Sequence, residues 1–368
     1  VQAQRTFLVV VVTPFLRCDE QKSCGAIPRE NQLPNPTIEQ FERLIRRDPA
    51  SRGLISGEEE HGPLCLGHLG SAAFHLAEHA THVGLVTGFY VPHGQPPAAE
   101  TDGPPGTLML ARTLESLGIE VTVLTDELCF PAVKAAAAAT EFAAASLLVF
   151  PRESDSWLDA FFTKGRGRNL THLIAIERPG PSHTPESLSQ QQREAPHPSE
   201  RFAALVPAES QNRCHNMLGR QIDEHTAETY RLFDELPKYR PEAKTIGIGD
   251  GGNEIGMGSI PWEELHRRLE GDQAARIPCR ISTDWTIVAG VSNWGAYALA
   301  ASVLLVRNEI DFLRDWDADR ELSVITQMVM HGPAVDGMTA RAEPTVDGLP
   351  FATYIEPWNG IRRLLRFE

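Results

Sequence analysis

Short uncharged runs alternate with helical patterns through most of this chain, and that alternation restricts the fold more than any other feature. Val83–Val86, Ile119–Leu124, Ser146–Phe150, Thr171–Ile176 and Thr245–Ile248 read as strands, and Ile281–Val288 as extended. Helical spacing marks Ile38–Arg47, Ala72–Ala80, Thr107–Leu117, Ala132–Ala145, Trp157–Phe162, His215–Leu236, Pro261–Leu269, Trp294–Val306 and Glu321–Met330. Uncharged strands are buried on both faces, and a parallel sheet achieves this by carrying helices on each side. The predicted class is α/β: a three-layer, mostly parallel sheet with helices on both faces, Rossmann-like. Ligands in such folds sit beyond the carboxyl ends of the strands. Residues 1–35 read as an N-terminal extension and 36–368 as the α/β domain. Within it, 179–211, rich in Pro, Ser, Gln and Glu without periodicity, reads as an exposed insertion, and 340–368 as a tail punctuated by Pro and Gly.

The 368 residues suffice for one large domain or two ordinary ones. A net charge of −15 argues against nucleic acid, whose binding depends on Lys and Arg meeting phosphates. No apolar run approaches the ~20 residues of a membrane helix. The cysteines Cys18, Cys24, Cys65, Cys129, Cys214 and Cys279 form no C-x-x-C pair, which fits a reducing compartment; Cys18 and Cys24 are close enough to pair locally. The chain begins at Val1 without Met, as it would after removal of a targeting segment.

The richest chemistry lies in TIGIGDGGNEIGMG (245–258), a strand running into a loop of glycines with Asp250, Asn253 and Glu254. Glycine exposes backbone N–H groups and permits positive φ, so Gly251 and Gly252 can approach a small polar ligand. Gly247, Gly249 and Gly252 match the dinucleotide string G-x-G-x-x-G. However, Asn253–Ile260 separates the last of them from the next helix, and Asp250 and Glu254 would repel phosphate, so this is not a true fingerprint. The competing reading is a tight strand-to-helix turn with no ligand.

Other candidates also fall at strand ends and helix starts. Thr87 and Gly88 follow one strand, and Glu177 and Arg178 another. ETDGPPG (100–106) sets Glu100, Thr101, Asp102 and Gly103 before a helix. Capping accounts for Asp102 but not for Glu100. Asp126 and Asp284 read as acids at strand ends, each also explicable as a cap or turn residue. With Asp250 they would crowd carboxylates along one sheet edge and raise one another's pKa. His215 and Asn216 open the predicted helix 215–236. Ser292 and Asn293 start an apolar helix whose N–H groups suit an oxyanion or carboxylate, or are simply N-capped.

Thr87-Gly88-Phe89, ETDGPPG (100–106), LIAIERPGP (173–181), HNM (215–217), GIGDGGNEIGMG (247–258), AGVSNWGAYAL (289–299) and the repeated VDG (335–337 and 346–348) occur in this order. Together they resemble the C-terminal domain of the D-glutamate cyclase family, once catalogued as a domain of unknown function, over roughly residues 38–355. The resemblance implies a carbon–oxygen lyase of the mitochondrion (the cytoplasm in bacteria) that converts D-glutamate to 5-oxo-D-proline and water. It also implies a small acidic amino acid as partner. No cofactor is expected, though the acids would accept a divalent metal. Animal members carry an upstream hydro-lyase-like domain not seen in this sequence. Trp285-Thr286 stands where the resemblance leads one to expect a His-Leu-like pair.

Cyclisation needs a base for the α-amine, an acid for the γ-carboxyl and donors for the oxyanion. On the sequence alone, Asp250 or Glu254 takes one proton role and Asp102 or Asp126 the other. The N–H groups of Gly251 and Gly252 face the oxyanion, and Thr101, Asn253, Ser292 and Asn293 orient the substrate. Arg178 or a helix N-terminus receives the α-carboxylate. The alternative is a non-catalytic family member, a subunit of a larger mitochondrial assembly that it contacts through the extension and the insertion.

Overall fold

A computed structural model describes residues 35–191, 193 and 197–367. Nearly all of the N-terminal extension, with Cys18 and Cys24, lies outside the described residues. The described residues form eight strands: β1 (His82–Thr87), β2 (Tyr90–Val91), β3 (Ala98–Ala99), β4 (Glu120–Asp126), β5 (Leu147–Phe150), β6 (His172–Ile176), β7 (Lys244–Gly249) and β8 (Trp285–Val288). β2 and β3 form a small antiparallel ribbon, and the other six make one sheet in the order β5-β4-β1-β6-β7-β8. Every pairing in that sheet is parallel. Counting only its strands, the chain runs outward from β1 to one edge, then returns to β6 and runs to the other. That is the doubly wound order, with its switch point between β1 and β6.

Period-two alternation supplies both hydrophobic cores. Leu85, Ile174, Ile176, Ile246 and Ile248 point to one face; Val86, Leu124, Leu173 and Ala175 point to the other. The first face is covered by Pro36–Ile45, His68–His79, Pro104–Ser116, Phe130–Ala139 and Ala318–His331 around a central helix, Ser292–Arg307. Residues 292–304 of that helix are buried on every side, because it lies between His68–His79 and Pro104–Ser116. The second face carries Asp155–Thr163, Arg231–Tyr239 and the helix beginning at Trp262. Among the described residues no helix is long and apolar enough to cross a membrane.

Three expectations fail locally. The predicted helix 215–236 is α-helical only in its last part, where Arg231–Tyr239 begins, with one 3-10 turn at Asp223–His225; before these the chain turns back on itself, with His215 bridged to Gln221 and Asn216 Oδ1 accepting the N–H groups of Leu218 and Arg220. Asn-x-x-Gly at 216–219 favoured a turn over a helix, and apolar spacing alone hid it. The segment 179–211 is not wholly exposed: helices Pro185–Gln190 and Ser199–Leu205 bury Leu188 and Phe202 in a small core with Trp262. The tail 340–368 contains two helices, Phe351–Tyr354 and Glu356–Leu364, which seat Tyr354, Trp358 and Ile361 in the main core.

Candidate active site

The first crossover after β1 brings Glu100 and Asp102 back over the carboxyl edge of the sheet, where Glu177 directly follows β6 and Asp250 directly follows β7. Both helices beginning here are capped by each other's loop. Asp102 accepts the N–H groups of Ser292 (2.9 Å), Asn293 (2.9 Å) and Gly103 (2.9 Å). Asn293 Oδ1 accepts those of Gly103 (3.1 Å) and Gly106 (2.8 Å), at the start of Pro104–Ser116. Asp102 thus caps the Ser292 helix rather than its own, and the N–H groups expected to hold a substrate anion are already taken by a protein carboxylate. Gly103 has φ 95°, and a Cβ on it would meet Thr87 Oγ1 and Glu177 Cβ at 2.8 Å. Glycine is required there to let the three strand-end segments close together.

Asp102, Glu177 and Asp250 each offer a carboxylate oxygen, and these three oxygens lie within 4.8 Å of one another. All three residues are buried, as are Glu100, Glu254 and Asp347 beside them. Ser292 Oγ donates to Glu177 at 2.6 Å. The cation that recurs among them is Arg52, which ion-pairs with Asp250 and grips Asp347 through two nitrogens at 2.8 and 3.2 Å. Burial, with neighbouring carboxylates, pushes Glu100, Glu177 and Asp250 well above the ordinary carboxylate range. Burial raises Asp102 to about 7 against the pull of its backbone donors.

Several expected roles are reassigned by this geometry. Glu254 turns back onto its own loop and accepts Gly251 N–H (2.7 Å) and Gly252 N–H (2.7 Å), so those groups are not open to an oxyanion or a pyrophosphate. Gly247 is explained by packing, since a Cβ there would fall 2.4 Å from the Gly256 backbone. Asn253 Nδ2 donates to the His215 carbonyl (2.8 Å), tying the turn at 215–216 to the glycine loop. The Thr101 hydroxyl is spent on the Thr345 carbonyl (2.6 Å).

Asp126 and Arg178 form a separate knot. They pair at 2.7 Å, Asp126 accepts Cys129 N–H (2.9 Å), and Arg178 donates to Thr229, Ala227 and the Gly88 carbonyl. Arg178 is therefore committed and does not receive a substrate carboxylate. A surface cleft of about 280 Å³, lined in part by Asp126, Arg152, His225 and Ala227, opens beside this knot. Asp284 lies at the opposite edge of the sheet, before β8, bound to Lys244 (3.0 Å) and to Thr245 N–H (2.8 Å). Trp285, which stands where a histidine was expected, packs on His75 at that same far edge and has no bearing on the carboxylate cluster.

Sequence reasoning missed Arg52 and Asp347 as members of this site. The second VDG carried a signal for Asp347, since the repeat sets a second acid before a glycine. Asp336, in the first, accepts the N–H groups of Met338, Thr339 and Gly348 and so positions the second. Arg52, in a connecting loop, had none.

The acidic centre thus lies beyond the carboxyl ends of the strands at and beside the switch point, the place where doubly wound α/β folds hold their ligands. The chain belongs to the D-glutamate cyclase-like, C-terminal family, whose model matches residues 41–209 and 205–362. It is 30% identical over 281 residues to the human protein named D-glutamate cyclase, mitochondrial, covering 73% of this chain and 39% of that protein. The chain thus spans well under half the length of that relative.

Proposed function

We propose that this chain is a lyase that cyclises D-glutamate to 5-oxo-D-proline, releasing water. The observation that carries the proposal is the meeting of Asp102, Glu177 and Asp250 in one buried cluster, within a chain of this family. In the reaction the α-amine attacks the γ-carboxyl carbon, a C–N bond forms, and the γ C–O bond breaks. One proton leaves the neutral amine nitrogen overall, and the departing hydroxyl of the neutral γ-carboxyl gains it to become water. Glu100, with Oε1 buried and without a hydrogen-bond partner, is the proposed proton carrier between the two. The raised carboxyl groups of Glu177 and Asp250 supply acid character to the γ-carboxyl. Arg52, which pairs with Asp250 and Asp347, is the proposed partner of a substrate carboxylate. We extend the mitochondrial location in the human relative's name to this chain as part of the same proposal.

The test is Asp250→Asn in purified protein, assayed for 5-oxo-D-proline. Turnover is expected to drop by about 10²-fold or more, the size of a general acid–base contribution, with the melting temperature preserved. Unchanged turnover overturns the assignment. Wild-type protein that neither binds nor turns over D-glutamate overturns the lyase reading in favour of a non-catalytic subunit.

A further inference from the structure

We propose that the turn at 214–222 and the loop at 92–93 form a second ligand site, outside the acidic cluster, for a small organic carboxylate that carries no ammonium group. An open cleft of about 280 Å³ lies between these two segments. His225 borders it and also borders the cleft of similar volume beside the knot of Asp126 and Arg178. The two clefts therefore flank one side chain, and together they reach the few hundred Å³ of ordinary small-molecule sites. The turn is preorganised. Asn216 N–H donates to the Arg220 carbonyl (3.0 Å) and Ile222 N–H to the Cys214 carbonyl (2.8 Å), while Ile222 and Cys214 pack on Phe89.

The lining selects the ligand. Asn216 is 8% exposed; its Oδ1 is taken by the N–H groups of Leu218 and Arg220, while its Nδ2 has no partner among the described residues. Buried amide donors are nearly always satisfied, so an Nδ2 left over in a residue of the cleft wall marks an acceptor that a ligand supplies. The Arg220 guanidinium, exposed on the same wall, makes no hydrogen bond or ion pair among the described residues. His93 and His225 extend the wall, with His225 packed on Tyr90 at 5.7 Å between ring centroids. Among the described residues no carboxylate lines this cleft, and Asp223, next to Ile222 in the chain, accepts Cys214 N–H at 3.2 Å. In a chain of net charge −15, a cleft of donors without acids has the opposite character to the whole and draws anions. A guanidinium and an amide donor suit a carboxylate. An ammonium group would find no counter-charge here and would stand near Arg220. The lining therefore disfavours a free amino acid and suits a lactam acid, with Pro92 and Ile222 as apolar surface for its ring and the unused Gln221 Oε1 as acceptor for its amide N–H.

5-Oxo-D-proline, the product of the proposed reaction, is such an acid; choosing it as the ligand rests on that reading, whereas the carboxylate site rests on the cleft. Wild-type protein is titrated calorimetrically with 5-oxo-D-proline and, separately, with D-proline, which has the same ring and carboxylate but a charged amine. We expect 5-oxo-D-proline to bind and D-proline to bind at least tenfold more weakly. Arg220→Gln should weaken 5-oxo-D-proline binding at least about tenfold, as loss of a charge-assisted hydrogen bond does. Asp250→Asn, in the acidic cluster, should retain it. If Arg220→Gln fails to fold, His225→Gln is expected to weaken binding and takes its place. Absence of 5-oxo-D-proline binding at millimolar concentration overturns the proposal, as does affinity unaltered in Arg220→Gln. Equal affinity for D-proline overturns the selection against an ammonium group. Binding that depends on Arg220 in a protein without turnover would sink the lyase reading alone; turnover without such binding would sink this second site alone.

Discussion

Asp126 and Arg178 show how an acid at a strand end can be structural. Arg178 is buried and its donors are all directed at Asp126, Thr229 and the carbonyls of Gly88 and Ala227. Removing the carboxylate leaves a buried guanidinium without its counter-charge, a change that typically costs about 3–5 kcal/mol. Asp126→Ala is therefore expected to lower stability by about that amount in urea unfolding. The Arg178 guanidinium, with help from Cys129, holds Asp126 below its ordinary value of 3.8 despite burial. In that window the unfolded chain binds more protons than the folded one. The stabilisation is present above pH 3.8 and is lost as pH falls through the folded value. Acid unfolding that follows the same curve in Asp126→Asn as in wild type would refute this role.

Among elements, β6 carries a titration of the opposite group type. His172 is fully buried at its amino end, with Nε2 2.9 Å from His75 Nδ1. Burial, then the neighbouring His75 and His79, pushes it down to about 3 from 6.5. The folded state thus holds it neutral, while the unfolded state protonates it below 6.5. Stability is complete above pH 6.5 and falls as pH drops from there toward 3. His172→Leu should flatten part of that slope in calorimetric scans; His183, lowered to about 3 by burial, and His68 and His215, lowered to about 4 by burial, contribute to the remainder. At the other end of the same strand, Glu177 enters the acidic site. One five-residue strand therefore separates two buried titrating clusters, and each acts where the sheet's alternation ends.

At the scale of the whole molecule, the site is closed. The cluster carboxylates are all buried, and Arg52 and Asp347 bring two connecting loops across it. On the proposed function, substrate entry requires those loops to open, and a bound ligand adds contacts that hold them shut. D-Glutamate should therefore slow amide hydrogen exchange in residues 46–57 and 335–349 relative to the free protein. Equal exchange with and without saturating D-glutamate would show that these loops do not gate the site. Electrostatics gives the same view. The overall charge is −15, yet among the described residues the carboxylate cluster of Asp102, Glu177 and Asp250 is buried rather than exposed.

The strands and their parallel class were legible in the sequence because uncharged β-branched runs and helical periodicity depend on neighbours only a few residues away. The edge on which Glu100, Asp102, Glu177 and Asp250 would fall followed from the same rule. Pairwise geometry was not legible. Asp102 capping a helix 190 residues later, Glu254 closing on its own glycines and Arg178 locked to Asp126 are each decided by strand order and by which donors burial leaves nearby. Asp284 was misplaced because an acid before a strand and an acid after one look alike until the strand's limits are known. The sequence by itself determined a mostly parallel sheet with helices on both faces, and a family. Only tertiary structure decided which acids share one desolvated centre, because that depends on contacts between segments hundreds of residues apart.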